Sequence, residues 1–187
     1  MAGLMAEPTW SWQVSTDPEA VHALLRASDE HHARAYGLPV PDRRPARTRQ
    51  LVAAGAVQVL HDGTRPVAMF TLTGEPPFDE DLSIFPPARR AVYVQRLAID
   101  PRSLASVPLL GARCLRRAIE LARAHGADAL RAEANPDLTA VAELLATFGF
   151  ARCGPVRSAG RLRRVYLQKS LQAAPGPAVV PDGQPPA

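Results

Sequence analysis

Residues 91–150, AVYVQRLAIDPRSLASVPLLGARCLRRAIELARAHGADALRAEANPDLTAVAELLATFGF, decide the fold. They read as a strand, a long loop, an amphipathic helix, a second strand and a short amphipathic helix closing on Gly149-Phe150. Residues 92–99 are β-branched and aromatic, and they stop at Asp100-Pro101, where proline has no N–H to give a ladder. The loop from there to Leu109 is long for a βα connection, and long ordered loops tend to carry function. In the helix that follows, Leu115, Ala118, Ile119 and Ala122 form one stripe, with Arg116, Arg117, Glu120 and Arg123 largely off it. Gly126 ends it. A helix that begins beneath a loop at the C-terminal end of a strand presents unpaired first-turn N–H groups and the positive end of its dipole. That is where an α/β protein holds a phosphate.

The flanking sequence completes a sheet around this stretch. Residues 9–15 alternate as a first strand, with Trp10, Trp12 and Val14 on one face. Asp17-Pro18-Glu19 starts a helix that runs to about Ala35 and stops at Gly37. Its apolar stripe is Val21, Leu24, Leu25, Ala35 and Tyr36, interrupted by Ser28 and His32. Residues 47–54 give a second short helix. Residues 57–60 and 65–73 form a hairpin about His61-Asp62-Gly63-Thr64. Residues 74–90 are an irregular loop with Pro76-Pro77, Pro86-Pro87 and the acids Glu75, Asp79, Glu80 and Asp81. Residues 151–154 begin another strand and 162–167 form the last, with Val165 and Leu167 on one face. Residues 1–8 read as a loose end, and 172–187, rich in Pro, Gly and Ala without periodicity, as a disordered tail. The expected organisation is a single domain over residues 1–171 followed by that tail.

At 187 residues and 47% hydrophobic content the chain suits one soluble domain with a sizeable core. The net charge of +4 is unevenly spread. Residues 1–101 carry 10 Arg against 12 acids, whereas residues 102–169 carry 12 Arg and Lys against 5 acids. A basic half can bind nucleic acid, form a solvated helix face or hold a polyanionic cofactor. No aromatic-interleaved basic patch supports the first. Cys114 and Cys153 are too few and too far apart for a disulfide framework or a zinc site and read as inert thiols. No secretory signal and no apolar run near the length of a membrane span is present, so cytoplasmic is the default.

The order of the pieces resembles the GNAT superfamily of acyl-CoA-dependent N-acetyltransferases. The matching segments are Leu97-Ala98-Ile99-Asp100-Pro101 at a strand end, a loop and helix beginning near Gly111, a strand ending at Asn135, and a helix running into Phe148-Gly149-Phe150. The resemblance implies an α/β fold with a mixed, mostly antiparallel sheet of about seven strands and flanking helices. It implies transfer of an acyl group, acetyl in the first instance, from acyl-CoA to a primary amine by direct attack through a tetrahedral intermediate. Acetyl-CoA or another acyl-CoA would be the co-substrate, with no metal. A non-catalytic acyl-CoA-binding or regulatory module on the same fold is the alternative reading, and a basic nucleic-acid-binding domain the third. The acceptor would be a small-molecule or peptide amine, cationic because acids mark the first helix and residues 75–81. No nucleic acid or membrane partner is expected, and the chain would be a monomer or homodimer.

By the same resemblance, a Q/R-x-x-G-x-G/A signature before the helix wraps the cofactor's pyrophosphate with backbone N–H groups. Alignment on Gly111 places Ser106 at the basic position and Leu109 at the first glycine, and Pro108 removes one N–H. The cofactor-binding set is Leu97, Ala98 and Ile99 through their backbones, Ser106, Val107, Leu109, Leu110, Gly111, Ala112 and Arg113 around the pyrophosphate, and Asn135 on the pantetheine arm. Arg102 or Arg113 would add charge. Asn135 followed by Pro136 is equally a helix-start signal. The family's acid tyrosine falls at Leu145, which cannot protonate a thiolate. Catalytic candidates on the central strand are Tyr93 and Gln95, which with Leu97 share a face at period 2. The other reading of these residues is strand-face packing. Glu133 is a third candidate, with ion pairing as its other reading. His31 and His32, adjacent on a helix, cannot share a ligand face.

Overall fold

Seven strands among the described residues form one sheet in the order β1-β2-β3-β4-β5-β7-β6. The computed structural model describes residues 10–104, 107, 109–159 and 162–171. The expected loose start at 1–8, the tail at 172–187, Ser106 and Pro108 lie outside them. The elements are β1 (Trp10–Val14), α1 (Pro18–Tyr36), α2 (Pro45–Ala53), β2 (Val57–Asp62), β3 (Arg65–Thr73), β4 (Ala91–Ile99), α3 (Pro101–Leu104), α4 (Leu110–Ala124), β5 (Ala129–Ala134), α5 (Thr139–Thr147), β6 (Ala151–Ala159) and β7 (Leu162–Ser170). Every neighbouring pair is antiparallel except β4 with β5. None of the described helices is long and apolar enough to cross a membrane.

The sheet has an apolar core on each face. On one, Leu115, Ala118, Ile119 and Ala122 of α4 pack with Val92, Val94, Leu130, Ala132, Val165 and Leu167, and Leu145 of α5 joins them. On the other, Val21, Leu24 and Leu25 of α1 and Leu51 and Val52 of α2 pack on Val57, Val59, Met69 and Ala98. Helix α1 begins as its sequence dictates: the Asp17 carboxylate accepts from the Ala20 N–H at 2.9 Å, Pro18 occupies the first turn, and left-handed Gly37 closes the end. Its buried stripe differs from expectation. Ala35 is exposed, while Ser28 is 3% exposed and accepts the Ile99 N–H on its hydroxyl at 3.3 Å. A polar residue that looked like an interruption is a strand's hydrogen-bond partner.

Two further corrections concern β4 and its sequel. Thr71 pairs with Gln95 and Met69 with Ala98, so Arg96 and Leu97 together oppose the single residue Phe70. This is a β-bulge, and Arg96 sits in the left-handed region at φ 51°. The extra residue reverses the alternation. Tyr93 and Gln95 keep the face of Thr71 and Thr73, whereas Leu97 turns to the α4 core with Ile99. Tyr93, Gln95 and Leu97 therefore do not share a face. The long loop after Ile99 also contains a helical turn, α3, because the buried Asp100 carboxylate accepts the Arg102 N–H and Pro101 presets the backbone.

Candidate active site

The parallel pair at the centre of the sheet opens. Strands β4 and β5 pair from Ala91 with Ala129 to Val94 with Ala132, and beyond that point no ladder joins them among the described residues. The strands splay at the bulge, so the main-chain groups of residues 95–99 that point away from β3 face a wedge instead of a neighbour. Ser28 takes the Ile99 N–H, so of the three residues expected to lend backbone groups, Ile99 keeps only its carbonyl.

Helix α4 starts at the wide end of that wedge. Arg113 donates its N–H to the Leu109 carbonyl, and the N–H groups of Leu110, Gly111 and Ala112, the first turn, have no backbone partner among the described residues. Leu109 stands at its N-cap with φ 66° and ψ 21° and is 74% exposed. The position aligned with a glycine thus has the backbone that glycine favours, carried by a leucine. Gly111 serves packing: a Cβ there would lie 2.8 Å from Leu144 Cδ2 of α5 and 3.6 Å from Ile99 Cδ1. The missing side chain lets α4, α5 and the end of β4 converge. The two arginines divide differently from expectation. Arg102 is bound to Asp100, which also holds Arg65 at 2.9 Å, while the Arg113 guanidinium lies over the Trp10 ring at 5.4 Å. Burial pushes the Asp100 carboxyl upward, but the Arg102 hydrogen bonds and the charges of Arg102 and Arg65 more than offset it, leaving it below the ordinary range.

Asn135 does not cap a helix. Its side-chain oxygen accepts the Asp137 N–H at 2.9 Å in a turn, and α5 begins only at Thr139. Asp137 pairs with Arg163 of β7, which ties the turn to the next strand. Leu145 is a core residue, 6% exposed. Cys114, within the α4 core, is pushed up to about 12 by burial, and an inert thiol follows.

The opposite mouth of the wedge carries titratable groups. Tyr93 pairs in register with Arg131, so Gln95 and Glu133, two residues further along each strand, face each other across the opening. Tyr93 is 3% exposed; its hydroxyl accepts from Arg131 at 3.1 Å and its ring meets Phe78, which makes it floor rather than reactant. Arg131 is buried, donates also to Gln168 and the Pro86 carbonyl, and stacks over Phe85 at 4.4 Å. Gln95 is half-buried and donates to Thr73 Oγ1 at 3.2 Å. Burial pushes the Glu133 carboxyl above its ordinary range, against the pull of the Arg164 guanidinium 3.6 Å away and of the Tyr166 hydroxyl. A raised carboxylate at the edge of an opening is the profile of a proton acceptor.

Arginines roof this mouth. Arg96 reaches from the bulge to Thr48 Oγ1 of α2 at 3.1 Å, and Arg43, from the α1–α2 connection, makes a two-point pair with Asp29 at 2.7 and 3.0 Å. The acids expected to attract a cationic acceptor mostly have partners of their own: Asp29 on Arg43, Glu30 on Arg26, Glu80 on Arg157, and Asp81 on Ser83. Burial, and then His31, lower the pKa of His32, against Asp29. Position in sequence gave no sign of Arg96, since a left-handed arginine has no composition signal. Glu133 was visible only as an acid two residues after Arg131 on a strand.

No protein-family model matches the chain, and no curated protein sequence matches it. Solved structures do. The yncA protein of Salmonella typhimurium, solved with its cofactor acetyl-CoA, superposes with a TM-score of 0.62 at 16% identity, over 91% of this chain and 98% of its own. A ribosomal-protein-alanine N-acetyltransferase from Brucella melitensis gives 0.62 at 17% identity, over 86% and 99%. A GNAT-family acetyltransferase from Listeria monocytogenes gives 0.65 at 15% identity, over 87% and 95%. Likeness at these identities is likeness of fold, and the chain has the fold of the GNAT acetyltransferases.

Proposed function

We propose that the chain is an N-acyltransferase that moves an acyl group, acetyl in the first instance, from acyl-CoA to a primary amine. The observation that carries this reading is the wedge between β4 and β5, with the unpaired first turn of α4 at one mouth and a raised carboxylate at the other. The fit to the co-substrate is good on the first side. The free edge of residues 95–99 offers main-chain partners to an amide-bearing arm, and the N–H groups of Leu110, Gly111 and Ala112 offer an anion site. Arg113 follows in the first turn of α4, and Asn135 follows the end of β5. Acyl-CoA supplies the thioester, an acyl group already activated toward amines.

The chain's own residues do the rest. Glu133, held proton-receptive by burial, takes the proton that an ammonium must lose before it can attack. Gln95 across the opening orients the amine, or a water that relays the proton, through its carbonyl oxygen while its amide stays on Thr73. Holding amine and thioester at the two mouths of one wedge supplies the proximity on which direct transfer depends. No acid is needed at Leu145, since a thiolate leaves without obligatory protonation. A non-catalytic acyl-CoA-binding reading is favoured by that buried leucine and by Leu109.

Calorimetric titration of acetyl-CoA, with desulfo-CoA and ATP as comparisons, tests the first half; acetylation of a panel of amines tests the second. CoA-selective binding with turnover supports the reading. Selective binding without turnover on any amine leaves the non-catalytic module, and absence of binding at millimolar ligand removes both.

A further inference from the structure

The acceptor mouth is richer in cations than its acids can neutralise. Arg43 is satisfied by Asp29, and Arg164 faces Glu133. Arg96 has no carboxylate within ion-pair distance among the described residues; its one hydrogen bond is to the neutral Thr48 hydroxyl, itself 1% exposed and 3.2 Å from His22 Nδ1. Arg47, next to Thr48 on α2, donates to Gln50 at 3.5 Å and has no ion pair among the described residues. Burial, and then Arg43 and Arg47, push the Arg96 guanidinium down to about 10, with Asp29 opposing them. A half-buried arginine crowded by like charges is destabilised until an anion arrives. The bulge makes the placement deliberate. It holds Arg96 in a left-handed conformation that an L-residue rarely adopts, next to Gln95 in the chain. Beside Gln95 lies one further unused group: Thr71, its cross-strand partner, has a fully buried hydroxyl without a hydrogen-bond partner among the described residues.

We infer that the acceptor amine carries a carboxylate, and that Arg96, with Arg47 beside it, binds that carboxylate while the amine meets Glu133. A planar guanidinium matches a carboxylate at two points, and the fork fixes direction as well as charge. The inference rests on the transferase reading above and deepens it. It reverses the expectation of a cationic acceptor, drawn from acids of which Asp29, Glu30, Glu80 and Asp81 have partners of their own.

The probes are N-acetylalanine and N-acetylalaninamide, which differ only in the carboxylate, titrated into the full chain with and without CoA. Steady-state acetylation of alanine and alaninamide follows. Wild type should bind the acid about tenfold more tightly than the amide, the scale of one charge-assisted hydrogen bond. Arg96→Gln should bring that ratio near one by weakening the acid alone, Arg96→Lys should keep part of it, and Arg47→Gln, on the exposed face of α2, should reduce it severalfold. Acetyl-CoA affinity should stay unchanged throughout. Equal affinity for acid and amide, preference for the amide, binding of neither, or equal loss of both probes in Arg96→Gln would overturn the subsite. Carboxylate-selective binding without acyl transfer would instead remove the transferase reading and leave the subsite standing.

Discussion

Leu109 is the place where the backbone required and the residue supplied disagree most, and replacing it by glycine measures the disagreement. At φ 66° an L-residue pays ~1–2 kcal/mol that glycine does not. Against this, glycine loses about 0.5–1 kcal/mol more chain entropy on folding. At 74% exposure the leucine side chain contributes only about a quarter of a full burial, roughly 0.5 kcal/mol. Leu109→Gly alone should therefore be near neutral or slightly stabilising. The sharper comparison is with Leu109→Ala, which loses the same contacts but keeps the strained Cβ. The glycine variant should be the more stable of the two by roughly 0.5–1 kcal/mol, a separation of about 1–4 °C in Tm for a domain of this size. Paired thermal melts and urea titrations read it directly. An alanine variant equal to or more stable than the glycine variant would refute the left-handed assignment. A second readout bears on function: a bare turn at 109 approaches a pyrophosphate more closely, so acetyl-CoA affinity should rise severalfold in the glycine variant only.

Three other outcomes are expected. Glu133→Gln should lower kcat by about 10²–10⁴, the share of a general base, with acetyl-CoA affinity intact. Because the folded pKa of Glu133 is raised, its ionisation removes stability as pH climbs from the ordinary carboxylate value through the folded one, so the glutamine variant should melt no lower than wild type at neutral pH. Asp100 has the opposite sign: its folded pKa is depressed, and its stabilisation is complete above about pH 4 and lost as pH falls through the folded value. Asp100→Asn should thus be destabilised at neutral pH and converge with wild type on acidification; a constant gap would count against the ion pairs to Arg65 and Arg102. Arg131→Met strands the Tyr93 hydroxyl, the Gln168 oxygen and the Pro86 carbonyl without their donor and should cost about 2–4 kcal/mol, lowering Tm by roughly 5–15 °C. A smaller loss would mean the loop at 74–90 is held by Phe78 and Phe85 alone.

What the sequence made legible was whatever a local pattern specifies. Asp17-Pro18 and Gly37 bound α1, and Leu115, Ala118, Ile119 and Ala122 are all buried, because caps and a 3.6-residue period act within a few residues. The left-handed backbone at Leu109 falls where the resemblance puts a glycine, which no local pattern at 109 indicates. The misreadings also have local causes. Asp100-Pro101 carries the start signal that marks α1, and it opens α3 directly after β4, so one proline both ends a strand and starts a helical turn. Asn135-Pro136 carries a similar signal and opens a turn, since Asn135 satisfies the Asp137 N–H before the helix begins at Thr139. The same dipeptide chemistry serves a cap or a turn, and the following residues decide between them. Ser28 was unreadable because its partner, the Ile99 N–H, is 71 residues away and exists only where β4 leaves β5.

Charge shows the same division between composition and placement. Counting acids along the first helix and the 75–81 loop pointed to a cationic acceptor, since a count treats each charge as facing solvent. In the fold, Asp29 is committed to Arg43 and Glu80 to Arg157, while one inserted residue in β4 turns Arg96 toward α2 with no carboxylate in ion-pair distance among the described residues. A two-residue period read through residue 96 places Leu97 in the site and the arginine on the far side. Once the bulge reverses the alternation, the leucine joins the α4 core and the arginine takes its place beside Gln95. The inferred preference for a carboxylate-bearing amine therefore rests on a backbone irregularity at one residue.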